Sequence, residues 1–235
     1  MPHTNRNERS ATAPPTKTFV DSTKPFVVVS VACGRKPIFV RRDPLSQRVT
    51  KVGMPVDRCV RRTAELYDRI TSRLRDVLLD DSPRGRRTCF LCTTAIEHGL
   101  AIRLLISAEQ LASATALLRV QFETVVRANW LHFVASDAAL DEPEDSVKTQ
   151  DMLGTVDQVA PPRVGTMLRA LEQAAWGLRL PRAVGGNALD ILKSANGLTA
   201  IAAMLIAMLS GDERAPRAMR QIQADHADCL PSLAT

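Results

Sequence analysis

Aromatic residues are scarce in this chain of 235 residues, at 4%, while alanine and leucine are abundant. That balance argues against a β-sandwich, which draws on aromatic and β-branched side chains, and for helices packed through small and aliphatic residues. Cysteine is equally uninformative as a scaffold. The five thiols are odd in number, scattered, and preceded by no signal peptide, so a reducing cytoplasm is the expected compartment. Cys89 and Cys92 form a CxxC without the second pair that zinc needs or the βαβ setting of a thioredoxin site; they read as buried helix cysteines. No Walker A loop, Rossmann fingerprint, HExxH or GxSxG occurs, so no cofactor or metal is expected.

Long uncharged apolar runs are missing too. "CFLCTTAIEHGLAIRLLIS" is interrupted by Glu97, His98 and Arg103, which makes it a buried helix with charges to satisfy, not a membrane span. Leu198 to Leu209 is continuously apolar but too short to cross a bilayer, and reads as a core helix. No membrane partner is expected.

The net charge of +6 dissolves on division. Residues 1–53 hold ten Lys or Arg against three Asp or Glu; of the totals of 31 and 25, the remainder keeps 21 against 22. The basicity belongs to the leader. A pI of 9.4 is therefore poor evidence that the folded part binds phosphate.

Residues 1–53 read as a basic, Pro-containing leader, either disordered or an upstream extension ahead of Met54. Two short β-prone runs, "FVVVSVAC" and "PIFV", would make only a marginal hairpin. From Met54 to the C-terminus the period is helical. Val56, Val60, Ala64, Tyr67, Ile70, Leu74 and Val77 form the first apolar stripe, broken near Pro83 and Gly85. A second helix covers the apolar segment above. Ser107 with Gln110 resembles a capping box for a third helix, running to about Ser136. The acidic stretch at Pro143 is a loop. A modest helix follows near 146–159, then one opened by Pro161-Pro162 and closed by Pro181. After a Gly185-Gly186 loop comes the core helix, stopped by Gly211, and a polar helix from about Asp212. The fold class is all-α: a bundle of six or seven helices over 54–235.

"LLRVQFETVVRANWLH" carries the least ordinary chemistry. Arg119, Glu123 and Arg127 stand four apart, an i, i+4, i+8 ladder among Leu118, Phe122, Val125, Val126 and Trp130. A carboxylate between two guanidinium groups is a sensible structural device; alternatively the arginines bind phosphate, with Glu123 fixing them. Glu97 could pair with Arg119 or Arg127 across helices. His98 reads either as a satisfied buried histidine or as a general base. The arginine-rich first helix is interleaved with aspartates, as a solvated face is.

"ALLRVQFETVVRANWLHFVAS", preceded by "AIEHGLAIRLL", resembles an uncharacterised bacterial family of helical proteins that looks related to the HEPN superfamily (higher eukaryotes and prokaryotes nucleotide-binding domains). The likeness covers about 86–137 and extends weakly to "DCLP" near the C-terminus. It implies a homodimer that binds RNA, a nucleotide or a protein partner. Active members are metal-independent endoribonucleases of toxin or defence type, with an Arg-x4–6-His motif meeting across the dimer; many others lack the motif and are inactive. Arg127 to His132 matches that string, as does Arg220 to His226. Arginine is common enough here for chance to supply such strings, and residues five apart on one helix point about 140° from each other. Ala128 stands where active members carry a polar residue. Val184 stands where the resemblance implies a histidine, so the loop around 181–190 departs from the family pattern. The expectation is a non-catalytic binding protein, with a ribonuclease using Arg127 and His132 as the alternative.

Overall fold

The computed structural model describes residues 26–29, 38–41, 54–75, 77, 81–140, 147–177 and 184–232. Two short strands, β1 (Phe26–Val29) and β2 (Ile38–Arg41), pair antiparallel with Val27 opposite Val40. The β-prone runs thus find each other; the rest of the leader lies outside the described residues.

The rest of the described chain is helical apart from short turns and links. Seven helices follow in order: α1 (Met54–Leu74), α2 (Pro83–Ser107), α3 (Leu111–Phe133), α4 (Thr149–Val159), α5 (Pro162–Gly177), α6 (Val184–Leu209) and α7 (Arg214–Asp225). Helix α6 is the hub, packed against α1, α2, α3, α5 and α7. Its Leu192, Ala195, Leu198, Ala202 and Ala203 are fully buried, and the alanines let neighbouring helices approach closely. Helices α2 and α3 form an antiparallel hairpin over one flank of α6, and α1 with α7 closes another.

Local chemistry explains most boundaries, sometimes against expectation. Pro83 and Gly85 do not lie in a break after α1. Ser82 caps α2 by accepting from the Gly85 amide at 3.0 Å, and Pro83 occupies the first turn, where its missing N–H costs nothing. Ser107 is no capping box either: its hydroxyl donates to the Arg103 carbonyl inside α2, and Gln110 precedes α3 without a side-chain cap. The link between the two helices turns at Glu109, which adopts φ 59°. Gly185 and Gly186 belong to the first turn of α6 and not to a loop. Gly211, at φ 67°, ends α6 in the left-handed conformation that glycine adopts without penalty. Residues 178–183 and the side chain of Val184, on which the expected family departure falls, lie outside the described residues.

The bundle is pinned by a buried polar centre. Gln121 of α3 lies within hydrogen-bond distance of the Ala95 carbonyl (3.0 Å), the Ala195 carbonyl (3.1 Å) and Thr199 Oγ1 (3.1 Å), and its amide has two protons to share among them. The Tyr67 hydroxyl meets Thr199 at 2.6 Å. Helices α1, α2, α3 and α6 are thereby joined, α6 through both Ala195 and Thr199. Gly99 makes room for it: a Cβ there would stand 1.9 Å from the Tyr67 oxygen. A second link joins Asn196 to Thr63 Oγ1 (2.8 Å) and the Cys229 carbonyl (2.9 Å), tying the 3-10 turn Ala227–Cys229 to the core.

Candidate functional site on the α2–α3 hairpin

Every residue singled out for chemistry lies on α2 or α3 apart from the Arg220 and His226 string, which falls on α7 and at its end. Arg119 is exposed, and its Nε donates to the Ala175 carbonyl of α5 at 3.3 Å. That is a strap between α3 and α5. Glu123 is half-buried and, among the described residues, forms neither a hydrogen bond nor an ion pair. The closed Arg119–Glu123–Arg127 ladder is therefore corrected: Arg119 turns to α5 instead of to Glu123. Arg127 is half-buried on the same helix, and Trp130 is half-buried against the core.

Among the described residues Glu97 has no cation beside it. Burial alone acts on its carboxyl, pushing its pKa above the ordinary value, so the expected pair with Arg119 or Arg127 is absent. His98 is pushed down by burial, and its Nδ1 is buried without a partner among the described residues. His132 shares that state for a second reason. Its ring stacks edge-on against Phe133 at 4.5 Å, and the nearby Arg84 charge adds to burial in lowering its pKa. Arg84 was not anticipated. It donates to the Leu131 and Ala135 carbonyls, both at 2.6 Å, and to Asp137 at 2.6 Å, so it caps the C-terminal end of α3. The legible signal was a helix end whose carbonyls needed a donor, with arginines crowding the start of α2.

Arg127 and His132 belong to one uninterrupted helix, and no hydrogen bond or ion pair joins them. His226, the other motif histidine, is 2% exposed and bonds through Nδ1 to the Ile222 carbonyl at 2.8 Å. Near it, Arg62 and Arg69 of α1 are engaged by Asp228 and Asp225, which braces α1 against the C-terminal segment. Those carboxyls are held below their ordinary pKa by the arginines. Arg220 takes no part in these pairs. Among the described residues no three His, Cys, Asp or Glu side chains cluster as metal ligands, and Cys92 and Cys229 are free thiols pushed up by burial, Cys229 to about 12.

What sequence reasoning missed is the face these residues frame. Helix α2 is not buried all round. Leu91, Cys92, Ala95, Gly99 and Ile102 face the core, while Phe90, Thr94, Glu97, Ala101 and Leu104 recur at spacings of four and three along the opposite side. Phe90 is 50% exposed and Leu104 38%. Val120 of α3, next to the Gln121 that reaches into α2, is 45% exposed. Five large apolar side chains are exposed among the described residues, and three of them stand on this hairpin.

The chain belongs to a family of unknown function, DUF6988, whose model matches residues 92–186 and 185–232. The two matched segments meet at the start of α6; α1 and the first turns of α2 precede them. No curated protein and no solved structure matches the chain.

Proposed function

We propose that the chain is a non-catalytic helical binding protein whose outer α2–α3 face docks a protein partner. One observation carries this reading: Phe90, Leu104 and Val120 are presented to solvent on a hairpin that the buried Gln121–Tyr67–Thr199 centre holds rigid. A protein surface fits better than RNA or a nucleotide. The middle of the stripe is Thr94, Glu97 and Ala101, with an acid and no base, and phosphate binding needs concentrated positive charge. Arg119, the nearest ladder arginine, is occupied with the Ala175 carbonyl. The resemblance of 86–137 to HEPN domains fits this reading: its Arg–His strings are not placed to converge on one helix, and such a relative would work by association in a reducing cytoplasm.

A photo-cross-linking residue at position 90, 104 or 120 of the full chain, activated in cells, tests it. Protein adducts are expected at these positions and not at Val159, an exposed apolar residue of α4. No adduct at any of the three positions, or lipid adducts in place of protein, would overturn the reading.

The ribonuclease reading has weaker support. His132 is half-buried against Phe133 beside the Arg84 charge, and the helix directs Arg127 elsewhere. Purified protein incubated with total RNA in EDTA is expected to leave it intact. Cleavage lost in Arg127→Ala/His132→Ala would reverse the choice.

A further inference from the structure

We infer that the outer α2–α3 face has an occupant within its own chain: the strand pair β1–β2 of the basic leader docks on it reversibly, in competition with a protein partner. This rests on the docking reading above and names how that face is regulated.

Strand pair and face lack the same thing. Seven of the eight residues in β1 and β2 are apolar, and a lone strand pair of that size is marginal in water. The two strands pack chiefly on each other and the helices chiefly on one another. On the helical side Leu104 and Val120 stand 38% and 45% exposed. Because Gln121 reaches the Ala95 carbonyl in an antiparallel hairpin, Ala116 of α3 lies about level with Ala101 of α2. Small residues there leave the face flat enough for a sheet to lie on, as sheets do on helix layers.

The charges match too. Glu97 in the middle of the α2 stripe and Glu123, one turn on from Val120, are half-buried and have no cation among the described residues. The leader holds ten Lys or Arg against three Asp or Glu, while residues 54–235 are close to neutral. Arg41 ends β2 and Arg42 follows it. An apolar strand pair ending in two arginines thus faces an apolar surface interrupted by two acids.

The tether reaches. Thr63 meets Asn196 and Tyr67 meets Thr199, while Ala95 and Ala195 share Gln121, so α1, α2 and α6 run parallel. Tyr67 is level with Gly99, in the middle of the face. Met54 precedes Tyr67 by 13 residues, which puts the start of α1 roughly 20 Å along the bundle from there. Residues 42–53 can span up to about 40 Å. A tether that short gives an effective concentration on the order of 1 mM, so a contact with a Kd of about 100 μM between separate molecules would be about nine-tenths formed within one.

Cross-linking in the purified full chain tests this. A photo-cross-linking residue at position 104 or 120 should link to the segment Phe26–Arg41, and one at Val159 should not. Mixing isotope-labelled with unlabelled chains should show by mass spectrometry that each link lies within one molecule. Arg41→Glu/Arg42→Glu should cut the yield at least threefold and leave urea unfolding of the bundle unchanged. Adding Glu97→Arg/Glu123→Arg should restore most of it, a rescue that misfolding cannot imitate. Salt at about 0.5 M should also lower the yield several-fold. In cells, Arg41→Glu/Arg42→Glu should raise adducts to a partner protein several-fold. No link to the leader, links only between copies, or a yield indifferent to Arg41 and Arg42 overturns the proposal. In each of these cases adducts to a different protein in cells leave the docking reading standing; their absence overturns both.

Discussion

Helices α2 and α6 are close in length, at 25 and 26 residues, and each holds a stretch apolar enough by composition to cross a membrane. Yet 83% of that stretch is buried in α6 and 44% in α2. Hydrophobic composition states how much a helix has to gain from burial; its neighbours decide how much it obtains. Helix α6 has neighbours on every side. Helix α2 is packed mainly by α3 and α6, which cover its inner half. The excess on its outer half is the strongest pointer to what this protein does.

The contrast can be broken most forcefully at α6. Leu198 is fully buried, so Leu198→Ala should cost about 3 kcal/mol in urea unfolding, through lost transfer energy and a cavity. A cost below about 1 kcal/mol would mean that the hub is packed no better than a surface.

The inner half of α2 should behave like α6. Gly99→Ala is expected to cost about 2 kcal/mol, because its Cβ must displace the Tyr67 hydroxyl and disturb the Thr199 and Gln121 contacts. Wild-type stability in this variant would show that the polar centre yields freely.

A smaller effect is expected where Arg84 joins the two helices of the hairpin. Losing its bonds to the Leu131 and Ala135 carbonyls should cost about 1–2 kcal/mol in Arg84→Ala. His132 supplies a second readout. Its folded pKa lies below the unfolded value of about 6.5, so the unfolded chain takes up a proton first and stability falls as pH drops below about 6.5. Without Arg84 the His132 pKa should rise and this acid loss should shrink, measurable by NMR titration and by unfolding at pH 5 and 7. A pKa that stays put would remove Arg84 from its environment.

The smallest effect belongs to the outer stripe. Leu104→Ala, at 38% exposure, should change the stability of the bundle by less than about 1 kcal/mol. A loss as large as that of Leu198→Ala would show that the outer face of α2 is built into the core.

Much of the fold was legible from periodicity and punctuation. The stripe on α1, the proline opening α5 and the glycine after α6 each follow from local backbone chemistry, and the structure has them where that chemistry puts them. Misreadings arose where one residue type serves two purposes. Pro83 and Gly85 can end a helix or begin one, and the Ser82 cap decided for a beginning. Ser107 can cap or bond back within its own helix, and it bonds back. Less of the candidate site was legible. The spacing suggested partners for Arg119 in Glu123 or Glu97, whereas its Nε meets a carbonyl of α5, a contact between residues 56 apart in the chain that spacing along one helix does not announce.

The sequence by itself determined that this chain is helical, where most of its helices run, and that α2 and α6 both demand burial, because each of these rests on spacing within a few turns. Only the tertiary structure decided that α6 has that demand met while α2 keeps Phe90 and Leu104 in solvent. It also decided that Arg84 caps α3, and that Glu97 and Glu123 stand without cations among the described residues. Those outcomes depend on which helices surround a residue, and contacts between residues distant in the chain leave no period in the sequence to read.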